Sequence, residues 1–429
     1  MNEVGYHKKY FINLHCPYDI ACIRYHNREY NFDNGGRLLW LLKGYKKIER
    51  SLNNRFVEKW DIGDDGIFRN TRLLTDKEAE ILYRKMSRDL SEIIEILRSD
   101  PRSFERYSVT SNRKEVLEFI SKSIFRDYQA TTEDKKRFEA IYGRIEIFPS
   151  DLPMPLIVKL TEGCAYNECT FCGFYKDKPF RIKDLNEVKR HIWDIKSFLG
   201  ESMLNRRSIF LGDANALMIE QDVLLQMLDF INEEFTIKPL FNEEINKENF
   251  YQATEATNRV HSFGGIYSFI DAFHGKQKST KDFRELKERN IRRIYIGMES
   301  GSNRLLAFIK KCNKAEDVIK MTNRIKEAGI SLGIMLIAGL GGKGFYDEHL
   351  EESIRIINSL NLDSCDNIYF SHLFFHEKAS YKYDITEEGI QSLSYEEENQ
   401  QIREIVAGFD FDPFHSPDIK GYEIKYVRF

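Results

Sequence analysis

Three of the chain's seven cysteines, Cys164, Cys169 and Cys172, fall within nine residues, in the run T-E-G-C-A-Y-N-E-C-T-F-C-G-F-Y. Three thiolates on one short loop can hold three irons of a [4Fe–4S] cube. A fourth ligand would close the cluster, whereas three leave one iron open to a substrate or cofactor. The spacing therefore suggests chemistry at an open iron rather than electron storage. The remaining cysteines, Cys16, Cys22, Cys312 and Cys365, are scattered and read as small buried hydrophobes. An odd count of this kind fits a reducing cytoplasm better than a disulfide framework.

A loop that holds a cluster needs a rigid support. Residues 156–160 form a short apolar run, and the cysteines follow it as a strand-to-helix loop. Leu185, Val188, Ile192, Ile195 and Leu199 then recur at helical spacing. Further strands are expected at 208–211, 264–270, 294–296, 333–338 and 368–370, with helices between them and a polar insertion before the third strand. Six strands alternating with helices predict an α/β fold: a parallel sheet with right-handed crossovers, closing into a partial (βα)6 TIM-like barrel over residues 151–375. Functional loops then gather at the carboxyl ends of the strands. The cysteine loop, Gly212-Asp213, Glu299-Ser300-Gly301-Ser302 and Gly339-Leu340-Gly341-Gly342 all fall on that rim.

Residues 1–150 read as a mostly helical accessory domain. Its apolar segments begin with Leu38, Leu39, Leu41 and Leu42, continue through Ile81 to Leu97, and end with Val116 to Ile124. The stretch with Pro149, Pro153 and Pro155 is the best linker, and residues 376–429 form a short C-terminal extension with a charged helix. The chain has 429 residues, 42% hydrophobic and 31% charged, an ordinary globular composition. Lys+Arg 64 against Asp+Glu 68 gives a net charge of −4, which argues against a nucleic-acid-coating surface and favours a small-molecule substrate or a neutral protein surface. There is no signal-peptide pattern and no membrane-length apolar run.

With these motifs in order, the chain resembles radical S-adenosylmethionine (SAM) enzymes. More narrowly it is similar to the core shared by the Elongator catalytic subunit, the tRNA methylthiotransferases and the nitrogenase-cofactor assembly enzyme. The resemblance covers roughly residues 150–375. It implies a [4Fe–4S] cluster on Cys164, Cys169 and Cys172, with SAM on the open iron. SAM is then cleaved to methionine and a 5′-deoxyadenosyl radical that abstracts hydrogen from substrate. The family's commonest spacing is C-x3-C-x2-C, so the first gap here is one residue longer. The resemblance further implies that Phe171 packs near the cluster and adenine. It sets Gly212 and Asp213 where the family holds the SAM amino group, although the match is partial and a plain strand-end turn is the alternative. Glu299 and Ser300 would face the ribose and the methionine end, and Ile337 would lie against adenine. Ser302 doubles as a helix N-cap.

Other signals are weaker. Gly339, Gly341 and Gly344 satisfy G-x-G-x-x-G, but the acidic residue a dinucleotide site wants does not end the next strand. His372 and His376 are four apart, roughly 13 Å on a strand and too far for one ion. His274, near Asp271, and His372 are rim candidates for a role on substrate, each also readable as a structural histidine. Lys176, Lys178, Arg181 and Lys183 read equally as a solvated face or as an attraction for anions or for an acidic reductant. Tyr166 and Tyr175 flank the loop as shields. The expected protein is an oxygen-sensitive, cytoplasmic, metal-binding enzyme. An electron donor such as flavodoxin or ferredoxin serves it, with no membrane partner and no nucleic acid expected. Radical-SAM RNA modification, and a non-catalytic iron–sulfur or zinc-binding interaction module, are the alternatives.

Overall fold

The computed structural model of the chain describes residues 10–16, 19–62, 69–100, 112–149, 151–152, 154–238 and 261–422. The polar insertion 239–260, Pro153 of the expected linker and the first nine residues of the chain lie outside them.

The amino-terminal region corrects the expectation of a mostly helical domain. Its first half is a seven-stranded antiparallel sheet: β1 (Tyr10–Cys16), β2 (Ile20–Tyr25), β3 (Arg28–Phe32), β4 (Leu38–Lys43), β5 (Lys46–Arg50), β6 (Phe56–Ile62) and β7 (Arg69–Leu73), hydrogen-bonded in sequence order. The cause is a period of two, with Tyr10, Ile12 and Leu14 buried and their neighbours less so. Tight turns separate the strands, with His26 at φ 51° and Gly44 at φ 59°. The leucines of 38–42 belong to β4 and not to a helix; Leu38 and Leu41 face the core. The helices begin only at Asp76–Ser99, where Thr75 and Glu78 form a capping box. Tyr83, Met86, Leu90, Ile93 and Leu97 of that helix bury its apolar face in this domain's own core. Helices Arg113–Phe125 and Tyr128–Tyr142 complete it.

One arginine ties this domain to the rest. Arg37 is buried, and its Nε donates to Asp134 Oδ2 at 2.8 Å. Its Nη1 donates to Ser202 Oγ at 2.7 Å and its Nη2 to the Phe198 carbonyl at 3.1 Å.

The second body is the partial barrel. All six expected strands are present: β8 (Pro155–Lys159), β11 (Ser208–Gly212), β12 (Ile266–Phe269), β13 (Ile291–Glu299), β14 (Ser331–Ala338) and β15 (Asn367–His372). A seventh, β16 (Asp418–Gly421), joins them in the order β16-β15-β14-β13-β12-β11-β8. Every pairing is parallel. Strand β8 is buried throughout, as expected of a strand covered on both faces, and Pro155 opens it on the sheet edge, where a missing N–H costs nothing. Beyond β8, the short strands β9 (Thr161–Glu162) and β10 (Arg181–Ile182) pair antiparallel and close the base of the cysteine loop.

Aromatic rings fill the barrel below the rim. Phe148, Phe210, Phe269, Tyr295 and Tyr369 run in edge-to-face or tilted contact with centroids 5.3–6.4 Å apart. Asp151 anchors this layer, accepting from Arg293 Nη1 at 2.7 Å, Tyr295 Oη at 3.1 Å and Asn367 Nδ2 at 3.1 Å. The connection between the two bodies is thus packed into the barrel floor, and the open chemistry is confined to the carboxyl-end rim. Among the described residues, no helix is long and apolar enough to cross a membrane.

Candidate active site

The cysteine loop leaves β8 and is cross-tied at every stage. Gly163 sits at φ 75°, where a Cβ would stand 2.9 Å from the Lys178 and Pro179 carbonyl oxygens, so only glycine fits. Asn167, inside the longer first gap, takes a left-handed φ of 51°, which asparagine tolerates. Its Nδ2 donates to the Tyr175 carbonyl at 2.8 Å, and its N–H points to Cys164 Sγ at 3.4 Å. The additional residue is therefore absorbed in a turn that keeps all three thiols on one loop.

The basic residues after the cysteines are neither a free face nor a bare anion trap. Lys176 Nζ donates to the Asn167 carbonyl, Lys178 Nζ to Asp213 Oδ2, and Arg181 to Glu162 and Glu187. Tyr166 Oη donates to the Lys310 carbonyl at 2.7 Å, and the Thr170 N–H to the Ile309 carbonyl at 3.0 Å, so the loop after β13 clasps the cysteine loop. Tyr175 is buried.

The thiols fit a metal cluster on their own chemistry. Burial pushes Cys169 up to about 11 and Cys172 up to about 12, so neither becomes a thiolate at neutral pH unless a cation displaces its proton. The backbone N–H of Phe174 opposes that rise at Cys172, and the Lys311 ammonium opposes it at Cys169. Among the described residues, no three His, Cys, Asp or Glu side chains gather as closely as a single ion requires. A four-iron cube takes one thiolate per iron, and its ligands stand farther apart.

Phe171, Ile337 and His372 come together. They line one narrow cavity of about 30 Å³ with Phe374 and His376. His372 Nδ1 lies 2.7 Å from Glu398 Oε2 on the helix Tyr395–Ala407, and Gln401 of that helix accepts the Gly339 N–H at 2.8 Å. The glycines after β14 thus make room for protein: a Cβ on Gly339 would meet Glu398, and one on Gly341 would meet Phe345. His376 rests on Gly173, which follows the last cysteine.

The other predicted positions are placed differently. Gly212 ends β11, and Asp213 is buried between two lysines, Lys159 Nζ at 3.2 Å and Lys178 Nζ at 2.5 Å. It also accepts the Gly163 N–H at 3.2 Å. Its carboxylate therefore anchors the cysteine loop. Ser300 is fully buried, with Oγ 2.7 Å from His349 Nδ1. Ser302 caps the helix Asn303–Phe308, accepting the Leu305 N–H at 2.9 Å. Glu299 ends β13 at φ 63°, just past a shift in strand register, and its Oε1 accepts from Lys311 Nζ at 2.8 Å.

Asp271 and His274 form a pair after β12, with Oδ2 and Nδ1 2.7 Å apart and Asn215 hydrogen-bonded to the same carboxylate. Burial opposes the Asp271 charge, yet the hydrogen bonds from His274 hold its carboxyl below the usual range. Lys311, Asn215 and His349 carried no spacing signal in the sequence. Of the scattered cysteines only Cys22 is fully buried, and Cys365 is exposed. Cys312 is half-buried on the rim near Cys169 and Asp271.

Residues 158–357 match the family described as the Radical SAM superfamily. The matched segment is a radical SAM domain that holds all three cysteines. Members of that superfamily use a [4Fe–4S] cluster and SAM. Over 243 residues the chain is 22% identical to the heme chaperone HemW of Bacillus subtilis (strain 168), covering 56% of this chain and 55% of that protein. Over 103 residues it is 25% identical to the tRNA-2-methylthio-N(6)-dimethylallyladenosine synthase of Clostridium tetani (strain Massachusetts / E88), covering 24% and 22%. The chain thus spans about half the length of the first and under a quarter of the second. Among solved structures it is similar to coproporphyrinogen III oxidase (HemN) from Escherichia coli, with TM-score 0.40 and 14% identity over 63% of this chain and 54% of that one. Methylornithine synthase (PylB) gives 0.39 and 12% over 64% and 65%.

Proposed function

We propose that this radical SAM enzyme, working in a reducing cytoplasm, abstracts hydrogen from a small-molecule substrate held over the barrel rim. When bound, the cluster on Cys164, Cys169 and Cys172 supplies reductive cleavage of SAM to methionine and a 5′-deoxyadenosyl radical. The chain's own residues orient and exclude. Phe171 and Ile337 are set to flank a nucleobase, which requires the 373–376 segment to shift because the present space admits only a water or two. Glu299 is set to accept from hydroxyl groups, with Lys311 holding its position. Asp271 orients His274 so that the far ring nitrogen can exchange a proton with substrate, the geometry of a general acid–base pair.

The observation that carries the substrate class is the closed side of the barrel. An open sheet leaves a lateral gap between its edge strands, here β16 and β8. Tyr422, next to β16, reaches across it and donates to the Phe148 carbonyl at 2.8 Å. Nearer the rim, the segment after β15 docks on the cysteine loop: the Tyr381 N–H donates to the Thr170 carbonyl at 3.0 Å, and Lys378 pairs with Asp177. Among the described residues these contacts cross that flank, against entry of a folded RNA or protein, and the net charge of −4 gives nucleic acid no general attraction.

The test is anaerobic reconstitution followed by turnover with deuterium-labelled metabolites, peptides and RNA. About four irons per chain and deuterium in 5′-deoxyadenosine from a metabolite pool are expected, and alanine at any of the three cysteines abolishes both. Deuterium arriving only from RNA or protein would reverse the substrate assignment.

A further inference from the structure

Lys311 is a buried ammonium that belongs to none of the sequence motifs. Its side chain is 9% exposed, and its Nζ donates to Glu299 Oε1 at 2.8 Å. Burial alone would favour the neutral amine, but Glu299 first, and then the Cys169 and Asp271 sites, hold the charge in place and raise its pKa. The side chain is not there by chance of rotamer. The backbone on its amino-terminal side is fastened to the cysteine loop twice, through the Ile309 carbonyl to the Thr170 N–H and the Lys310 carbonyl to Tyr166 Oη. Lys310 takes a left-handed φ of 52° at this clasp. Lys311 and Cys169 are thereby carried on two loops that cannot drift apart independently. At Cys169 the ammonium acts more strongly than the opposing Glu299 carboxylate.

We propose that Lys311 is a positioning residue for the cluster's electron. Its fixed positive charge beside the Cys169 corner raises the reduction potential, and Glu299 trims that effect. The physical basis is that reduction adds one negative charge to a buried centre, and a nearby cation in a medium of low dielectric stabilises the reduced form. The proposal rests on the cluster assignment to Cys164, Cys169 and Cys172 and adds to it which protein charge governs the reducibility of that cluster.

The experiment is a redox titration of the anaerobically reconstituted full chain, followed by electron paramagnetic resonance without SAM. Lys311→Met is expected to shift the reduction equilibrium at least tenfold toward the oxidised cluster, about 59 mV for a one-electron couple. Lys311→Arg keeps the charge and is expected to stay within twofold of wild type. Glu299→Gln is expected to shift the equilibrium in the opposite direction, toward the reduced cluster. A purely structural lysine could not produce opposite signs from the two partners. The Glu299→Gln arm also stands if Lys311→Met fails to hold its cluster. Shifts below twofold in both Lys311→Met and Glu299→Gln, or shifts of the same sign, overturn the proposal. A wild-type chain that binds no four-iron cluster would instead overturn the assignment beneath it, so the two failures are told apart by iron content.

Discussion

Asp213→Asn separates two accounts of the residue that ends the second barrel strand. In the structure the carboxylate lies between Lys159 and Lys178 and accepts the Gly163 N–H at the entry to the cysteine loop. Lys159 is almost wholly buried, and its Nζ also donates to the Tyr142 and Arg144 carbonyls at 2.6 and 2.8 Å. Burial already depresses its pKa to about 8, against the pull of Asp213. Removing the anion leaves two ammoniums facing each other, one of them buried. Breaking a buried pair by deleting one partner costs about 3–5 kcal/mol; because two carbonyls still accept from Lys159, the lower figure applies. Lys159 has a folded pKa below its unfolded value, so the unfolded chain binds more protons above pH 8 and this site's penalty is relieved as pH rises. The Asn variant should therefore be about 3 kcal/mol less stable near pH 7, with a melting temperature ~3–5 °C lower, and the deficit should shrink toward pH 9. Anaerobic calorimetry at both pH values measures this. A variant of wild-type stability that binds SAM tenfold more weakly would refute the ion-pair account and return Asp213 to the SAM amino group.

Other expectations follow from the same contacts. Burial lowers His191 to about 3 and His349 to about 4, so both are neutral when folded and protonate when unfolded. Stability from each is complete above pH 6.5 and falls as pH drops below it, by about 2 kcal/mol per histidine at pH 5; melting temperatures flat from pH 7.5 to 5 would contradict this. Gly301→Ala places a Cβ 2.2 Å from the Glu352 carbonyl oxygen and 2.6 Å from the Ser353 nitrogen, both backbone. It should cost about 1–3 kcal/mol in thermal melts, and an unchanged melt would show that the helix Tyr346–Asn358 yields freely. Arg37→Met strips Asp134 of its 2.8 Å partner and removes a donor from the Phe198 and Leu199 carbonyls. A loss of about 3–5 kcal/mol and a splitting of one calorimetric transition into two are expected, since the arginine joins the two bodies. A single unshifted transition would mean that the union does not depend on it.

The barrel was legible because its strands are buried on both faces and read as unbroken apolar runs, such as Leu156, Ile157 and Val158. The amino-terminal sheet was not. Clusters like Leu38-Leu39-Trp40-Leu41-Leu42 satisfy helical and strand templates together, and the two-residue turns at His26 and Gly44 lack the usual Asn-Gly or Asp-Gly signature. The seventh strand escaped notice because Asp418 to Gly421 is short and polar, its place fixed by pairing with β15 and not by its own composition. Motif positions fared better than motif roles. Asp213 and Ser300 sit at the expected strand ends, but no sequence rule says that Lys159 or His349 will reach them from elements 50 residues away.

That gap between position and role has a common electrostatic origin. Three strand ends on this rim carry an acid, Asp213, Asp271 and Glu299, and each of these acids is met by a base: Lys159 and Lys178, His274, and Lys311. Unpaired carboxylates crowded around the cysteines would repel the electron that the cluster must accept, and would raise one another's pKa until some were neutral. Pairing removes that repulsion without emptying the rim of hydrogen-bond acceptors. It also places the cations inside the protein, where salt screens them weakly. If these pairs set the cluster's potential, that potential should hold nearly constant between low and high ionic strength. A potential that drifts steadily with added salt would mean that surface charge governs the cluster instead.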